Sequence, residues 1–129
     1  MTMTVEKLTN FMLRIYDQYI EISKSSRADV VDMDLFELWD FLEEHFKLPV
    51  PVLTSHSKCY SVSPEAQLQF SKTVKNYYSA IAVVDENNVN IAAEEADKDF
   101  FLEDVQIKTF NSKEDAIAWL KDYGPVVKL

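Results

Sequence analysis

The sequence of 129 residues predicts an α/β domain that begins with a β-hairpin and continues with alternating helices and strands. Apolar and polar side chains alternate near the start, and residues 79–84 form a small, β-branched run typical of a strand buried on both faces. The later strands each follow a helical segment, which favours right-handed crossovers. We therefore predict a mixed five-stranded sheet with about four helices, in a single domain over residues 1–129 whose ordered core is about 8–123.

The first half of the chain predicts a hairpin and one helix. Residues 8–23 alternate between apolar and polar side chains on both sides of residues 16–18, which is typical of two strands joined by a short turn. Asp34 and Glu37 have the spacing of a capping box, so we predict Asp34 as the N-cap of the first helix. Apolar residues then recur at helical spacing, and the helix must end before Pro49.

The middle of the chain predicts two strands with a helix between them. Residues 50–54 form a short apolar strand, in which Pro51 limits the pairing because proline has no N–H to donate. Ser63 and Pro64 predict the start of the second helix, since serine caps free amides and proline suits the first helical position. Residues 79–84 are the next strand.

The last third predicts a third helix, a final strand and a final helix. Residues 89–101 carry apolar side chains at helical spacing, and residues 105–110 alternate as a strand does. Asn111 and Glu114 form a second capping box for the last helix. Gly124 and the proline after it are predicted to end that helix by the usual glycine stop.

Composition excludes several classes of function. Gly124 is the only glycine, so the chain has no glycine-rich phosphate loop, dinucleotide fingerprint or nucleophile elbow. A net charge of −9 disfavours nucleic acid, which needs clustered cations. No apolar run is long enough for a membrane span, the N-terminus lacks the features of a signal peptide, and the lone Cys59 fits a reducing compartment. We expect a cytoplasmic protein without a cofactor.

Three segments of the sequence share a pattern with one group of small bacterial domains. Residues 105–120 combine an apolar strand, a phenylalanine, an acidic cap and the spacing Ala116-x-x-Trp119-Leu120. Residues 60–66, which open the second helix, and the strand at 79–84 fit as well. In these segments the chain resembles SpoIIAA-like proteins, which belong to the STAS and Sec14-like groups.

This resemblance implies a protein-interaction or regulatory module without catalysis, like the antagonists of anti-sigma factors. In those proteins a phosphorylatable serine starts the second helix, and Ser63 stands at the comparable position here. The working surface would be the loop 54–62 together with that helix start. A protein partner is implied, and a homodimer is compatible with this interpretation. The candidate phospho-switch or partner-contact residues are Ser63, Ser61, Thr54 and Ser55.

A second hypothesis is a carrier or sensor of a small apolar ligand, which the Sec14-like resemblance allows and which requires a buried cavity lined by aromatic side chains. Two adjacent aromatic pairs, Tyr77 with Tyr78 and Phe100 with Phe101, lie on predicted elements. Neighbouring helical residues point in different directions, so one member of each pair should face the core. The other is a candidate for an apolar contact.

A third hypothesis, an enzyme, depends on His56 and Cys59. The pair could form an activated nucleophile or supply two zinc ligands, but a structural zinc site needs four ligands and no second pair exists. The carboxylates are spread along helices, opposite the apolar stripes, as solvent-facing residues are. We therefore predict no catalytic residue and no metal site.

Overall fold

The computed structural model describes residues 3–25, 30–55, 62–84 and 105–129, which form one mixed sheet with helices on both faces. The strands are β1 (Thr4–Lys7), β2 (Phe11–Ile15), β3 (Ile20–Lys24), β4 (Val50–Ser55), β5 (Tyr78–Val84) and β6 (Gln106–Phe110). The helices are α1 (Asp32–His45), α2 (Pro64–Tyr77) and α3 (Lys113–Leu120), followed by a 3-10 turn at Lys121–Tyr123.

The strands lie in the sheet in the order of the sequence. β1, β2 and β3 pair antiparallel, and β3, β4, β5 and β6 pair in parallel. The predicted α/β class, N-terminal hairpin and mixed sheet are confirmed. Among the described residues the structure has six strands and three helices. The helix predicted at 89–101 lies outside the residues that the structure describes.

The predicted count of five strands is wrong because β1 was missed. All four side chains of β1 are exposed, so this edge strand carries no alternation of buried and exposed residues. Its backbone pairs with β2 from Thr4 opposite Ile15 to Lys7 opposite Met12. The hairpin itself has the predicted pattern, in which Leu13 and Ile22 face each other on the buried side.

The start of α1 also differs from the prediction. The helix begins at Asp32, so Asp34 lies in the first turn and is not the N-cap. Its Oδ2 accepts hydrogen bonds from the Val31 N–H at 2.9 Å and from Asn10 Nδ2 at 2.8 Å. Asp34 therefore satisfies the backbone before the helix and a buried side chain of the β1–β2 loop, and this pairing compensates for its burial.

Glu37, the other residue of the predicted capping box, also contacts the β1–β2 loop. Its two carboxylate oxygens accept from the backbone N–H and the hydroxyl of Thr9, at 2.9 and 3.0 Å. Asp34 and Glu37 thus fix the loop beside the first turns of α1, where the sequence alone suggested only an isolated cap.

The last helix begins one residue later than the second predicted capping box implies. Ser112 is its N-cap and accepts from the Asp115 N–H at 3.2 Å, so the prediction of Asn111 in that role is wrong. Serine serves as well as asparagine at this position, and the two candidates are adjacent in the chain. The predicted cap of α2 is confirmed, since Ser63 Oγ accepts from the Ala66 N–H at 3.1 Å.

Gly124 does not have the positive φ of a glycine helix stop. Its φ is −93°, which other residues adopt freely, so the predicted stop chemistry is wrong. A Cβ on this residue would lie 2.9 Å from the backbone oxygen of Gln18, and glycine is required by that close approach. Beyond it, the Val126 N–H donates to the Asp17 oxygen, and the Lys47 N–H donates to the Val127 oxygen, both at 2.8 Å.

The two faces of the sheet carry separate cores. The α1/α2 face, covered by α1 and α2, holds mainly large aliphatic and aromatic side chains. The α3 face, covered by α3, is built largely on alanines of β5. Pro51 is tolerated in β4 at a register shift between Val50 and Pro51, as its missing N–H requires. No described helix has the length and apolar character needed to cross a membrane.

Candidate functional site

The α1/α2 face contains a cavity of about 280 Å³ between the sheet and the two helices. Most of its wall is aliphatic or aromatic, with two polar side chains. The described lining residues are Phe11, Ile22, Val30, Leu35, Leu38, Val52, Thr54, Val62, Ala66, Gln67, Phe70, Tyr78 and Ile81.

The floor of the cavity comes from four neighbouring strands, with Phe11 contributed by β2. Ile22, Val52 and Ile81 lie on β3, β4 and β5, and Val52 and Ile81 are register partners. Side chains on one face of a strand recur every second residue, so Thr54 lies on the same face as Val52, farther along β4. The floor is therefore apolar in the middle of the sheet and gains a hydroxyl towards the C-terminal ends of the strands.

The helices form the opposite wall through residues at helical spacing. Leu35 and Leu38 line the cavity from α1, and Ala66 and Phe70 line it from α2. Residues three or four apart lie on one face of a helix, which explains why these pairs share the cavity. Ala66 is fully buried, and its short side chain leaves space where a larger residue would fill the cavity.

One border of the cavity is held by two connecting segments that run side by side. Val30, which precedes α1, and Val62, which precedes α2, form an isolated parallel bridge. The Ser63 N–H donates to the Val30 oxygen at 2.8 Å. Both valines line the cavity, so this border is fixed by backbone hydrogen bonds as well as by packing.

The two polar lining residues lie on the same side of the cavity. Thr54 is near the C-terminal end of β4, and Gln67 is in the first turn of α2. Gln67 Nε2 donates to the Val62 oxygen at 3.1 Å, which leaves its Oε1 as an acceptor. The Thr54 hydroxyl has no hydrogen bond to another described residue.

The opposite end of the cavity is aromatic. The Tyr78 ring lies edge-on to Trp39 with centroids 5.3 Å apart, and Phe70 stacks on the same indole at 6.1 Å. Trp39 Nε1 donates to Thr73 Oγ1 at 3.0 Å, which fixes the ring between the two helices. This end is therefore rigid and contains a tryptophan in contact with two of the lining residues.

Tyr77 completes this aromatic group from its outer side. Its ring is parallel to Trp39, with centroids 4.2 Å apart and planes 5° apart, and its hydroxyl donates to Glu43. Desolvation and this hydrogen bond raise the pKa of Tyr77 to about 12. Of the predicted pair, Tyr78 is buried against the cavity, while Tyr77 lies at its edge and joins α1 to α2.

The other predicted site residues are more scattered. Ser63 uses its hydroxyl to cap α2, Thr54 lines the cavity, and Ser55 is exposed at the end of β4. The remaining candidates lie outside the described residues: Ser61, Phe100, Phe101, His56 and Cys59. The structure thus brings Thr54 and Tyr78 to one cavity, from opposite ends.

Gln67 and Phe11 were not predicted as site residues. Gln67 follows the cap of α2 by one turn, where a polar residue is usually solvent-facing, and Phe11 belongs to the ordinary alternation of β2. The sequence carries no signal that separates these two from other residues of their elements. Within the described ranges no group of three or more His, Cys, Asp or Glu side chains is placed to hold a metal ion.

The sheet order, with helices on both faces, defines a SpoIIAA-like α/β domain. A crystal structure of a DUF3478-family protein with a SpoIIAA-like fold, from Shewanella loihica PV-4, superposes with a TM-score of 0.57 at 16% identity, over 92% of each chain. The predicted SpoIIAA-like fold is therefore confirmed. By sequence, the chain belongs to the family DUF7793, a domain of unknown function, which matches residues 40–124. Among curated proteins, none matches this sequence.

Proposed function

We propose that this domain binds a small apolar ligand, without catalysis, in the cavity of the α1/α2 face. The observation that carries the proposal is the cavity itself, about 280 Å³ with an almost wholly apolar wall. Protein interiors normally leave few spaces larger than a water molecule. An apolar ligand in this space would contact the apolar wall and remove it from water, which favours binding.

The volume supports a small ligand. Pockets for drug-sized molecules usually measure roughly 300–1,000 Å³, so this cavity is near the lower end of that range. Its two polar groups resemble the few groups that orient a ligand in such pockets. A hydroxyl acts as a nucleophile when a base is hydrogen-bonded to it, and no described residue gives Thr54 such a base. Ligand binding without catalysis is therefore the function that this lining supports best.

The experiment is a fluorescence titration with N-phenylnaphthylamine, a neutral apolar probe that becomes bright in dry cavities. We expect saturable binding by the parent protein. The variant Ala66→Met should lower the affinity at least about ten-fold, because the new side chain occupies the cavity. The control Ala118→Met adds the same side chain at an exposed position of α3 and should bind as the parent does.

Trp39 gives a second readout of the same event. It contacts Phe70 and Tyr78 at one end of the cavity, while Trp119 lies on the α3 face. In the variant Trp119→Phe, the remaining indole should transfer its excitation to the bound probe. A parent protein that shows no saturable binding, or an Ala66→Met variant that binds as tightly as the parent, would refute the proposal.

A second candidate function is protein interaction, as the SpoIIAA-like resemblance implies. Large apolar side chains are exposed on the first turns of both covering helices: Met33 is 68% exposed, Phe36 41% and Leu68 54%. Exposed apolar groups that gather in one region commonly mark a contact surface. The simplest partner is a second copy of the chain, which would form the homodimer that is compatible with the SpoIIAA-like resemblance. The lone Cys59 supports a cytoplasmic location for either function.

This second candidate is tested by native mass spectrometry over a range of protein concentrations. Self-association that the double change Phe36→Ser and Leu68→Ser abolishes would support it, and a monomer at all concentrations would count against it. A phospho-switch at Ser63 adds one expectation. Ser63→Asp keeps an acceptor for the cap, so altered self-association with unchanged stability would support a switch.

A further inference from the structure

We infer that the ligand of this cavity is a neutral molecule with an apolar body and one hydroxyl end, which lies along β4 with the hydroxyl between Thr54 and Gln67. This inference rests on the proposed function and adds the chemical class and orientation of the ligand. Four features carry it: the position of both polar lining residues at one end, the orientation of the Gln67 amide, the charge of the surroundings and the spacing of Thr54 and Tyr78 along the sheet.

Both polar lining residues lie at one end of the cavity, and the other end is lined by apolar and aromatic side chains alone. Thr54 is four residues beyond Val50 on β4, and Val50 is the register partner of Tyr78. The backbone positions of Thr54 and Tyr78 are therefore separated by about 13 Å along the strand direction. Gln67, in the first turn of α2, shares the polar end. A ligand that matches this wall has its polar group at one end only.

The hydrogen bond of Gln67 indicates that the polar group of the ligand is a hydrogen-bond donor. Because Nε2 donates to the Val62 oxygen, Oε1 of this exposed side chain is left as an acceptor, which a ligand hydroxyl can occupy in place of water. The hydroxyl of Thr54 can donate to the ligand or accept from it. A ligand hydroxyl satisfies both residues at once, since it donates to Gln67 Oε1 and accepts from Thr54 Oγ1.

Charge argues against an acid in this position. The chain has a net charge of −9, and the described lining residues include no lysine, arginine or histidine. A carboxylate bound there would lose hydration and gain no cation from the described lining residues. The neutral pair of an amide and a hydroxyl accepts a neutral alcohol at a much smaller desolvation cost.

The length of the apolar part sets the expected dependence on ligand size. Towards Tyr78 the wall is formed by aliphatic and aromatic side chains, with Phe70 and Tyr78 at the end. Each additional methylene of a linear alcohol should tighten binding roughly four-fold until the chain reaches that end. Beyond this length, affinity should stop rising, because Trp39 holds both rings in place.

The experiment is displacement of N-phenylnaphthylamine by three ligands that share one octyl chain: octanol, octyl methyl ether and octanoate. We expect octanol to displace the probe at a concentration roughly five-fold below the ether, which cannot donate to Gln67, and at least about ten-fold below octanoate. Two variants separate the contacts. Thr54→Val should weaken octanol and the ether alike, roughly five-fold, and Gln67→Met should weaken octanol alone.

Binding of the probe tests the cavity, and displacement of the probe by the three ligands tests the hydroxyl inference. Displacement from each variant is read against that variant's own affinity for the probe, and the exposed control Ala118→Met should change neither the probe affinity nor the ranking of the three ligands. Equal displacement by the three ligands, or strongest displacement by octanoate, would overturn the hydroxyl inference while probe binding still supported the cavity. Failure of the parent protein to bind the probe would overturn both.

Discussion

The two faces of the sheet are built from the same strands and are filled differently. On the α3 face, Ala80 and Ala82 of β5 meet Ala116 and Leu120 of α3, and all four are fully buried. On the α1/α2 face, Ile81 of the same strand opens onto a cavity of about 280 Å³. Small residues let α3 approach the sheet closely, while larger side chains hold α1 and α2 farther away and leave space between them.

The comparison teaches that the cavity does not result from a shortage of apolar residues. The α1/α2 face holds the larger cluster, and most of the cavity wall comes from it. Space remains because Ala66 stands where α2 faces the floor and because Trp39 with its neighbouring rings fixes the helices at one end. On the α3 face, substitutions that remove or add volume should lower the free energy of unfolding as they do in a filled core. On the α1/α2 face the same substitutions should have smaller effects, because the cavity already provides space.

The largest difference between the faces is expected from removal of a buried leucine. Leu120→Ala on the α3 face should lower the free energy of unfolding by about 4 kcal/mol, because it opens a new cavity in a filled core. Leu38→Ala should cost about 2 kcal/mol, since Leu38 already borders open space on one side. Urea denaturation of both variants measures this difference. Equal losses would mean that the two faces are packed alike.

A smaller difference in the free energy of unfolding is expected when a buried alanine of each face is replaced by a larger residue. Ala116→Met should destabilise the protein by about 2 kcal/mol, because no space is available beside Ala80 and Ala82. Ala66→Met should change the free energy of unfolding by less than about 1 kcal/mol, because its side chain enters the cavity. Both alanines are fully buried in the first turns of their helices, so they form a matched pair. A larger loss for Ala66→Met would contradict the comparison.

One tyrosine on each face gives a further test, by pH. Burial raises the pKa of Tyr19 on the α3 face and of Tyr77 on the α1/α2 face to about 12, from an ordinary value of 10.0. The unfolded tyrosines ionise first, so their contribution to stability is complete below the ordinary pKa and is lost as the pH rises towards about 12. Tyr19→Phe and Tyr77→Phe should each reduce this loss, as measured by thermal denaturation between those two pKa values.

The controls for this test are the same measurements at neutral pH. There Tyr77→Phe also removes the hydrogen bond to Glu43, so its stability should fall by about 1 kcal/mol, while its alkaline loss becomes smaller. A variant that lost stability with pH as steeply as the parent would show that its tyrosine ionises alike in both states.

The smallest effect is expected from an ion pair at the edge of the α3 face. Lys113 Nζ lies 3.0 Å from Glu21 Oε1, and the lysine side chain is 47% exposed. Lys113→Ala should cost about 0.5 kcal/mol at low salt and still less at high salt, because the pair is screened by solvent ions. A loss that salt leaves unchanged would indicate that Lys113 acts through packing and not through charge.

The sequence predicts elements well where side chains report their surroundings. The alternation of Leu13 and Ile15 with Arg14 predicts a strand correctly, because burial imposes a local pattern. The Ser63-Pro64 pair predicts the start of α2 correctly, because capping imposes another. The sequence does not predict β1, because an exposed edge strand imposes no pattern of buried and exposed residues. Asp34 was placed at the wrong position of its helix because a carboxylate can satisfy free amides from the N-cap or from the first turn.

The site was much less predictable than the fold. Thr54 and Tyr78 were named for other reasons, as a partner contact and an apolar contact, and only the register of β4 and β5 places them at the two ends of one cavity. A periodic pattern tells which face of a helix is apolar and not how far that face lies from the sheet. Gln67 therefore resembled any polar residue of a first helical turn.

The order of strands in the sheet has a consequence for how the molecule is made on the ribosome. Since every strand neighbours the one before it in the sequence, each can join the growing edge as it emerges, without waiting for a distant segment. The helix that covers Ala80 and Ala82 follows β6 in the sequence, so that strip of β5 lacks its α3 cover on a nascent chain until α3 has left the ribosome. Strong chaperone dependence would then be expected for chains stalled after β6 and before α3.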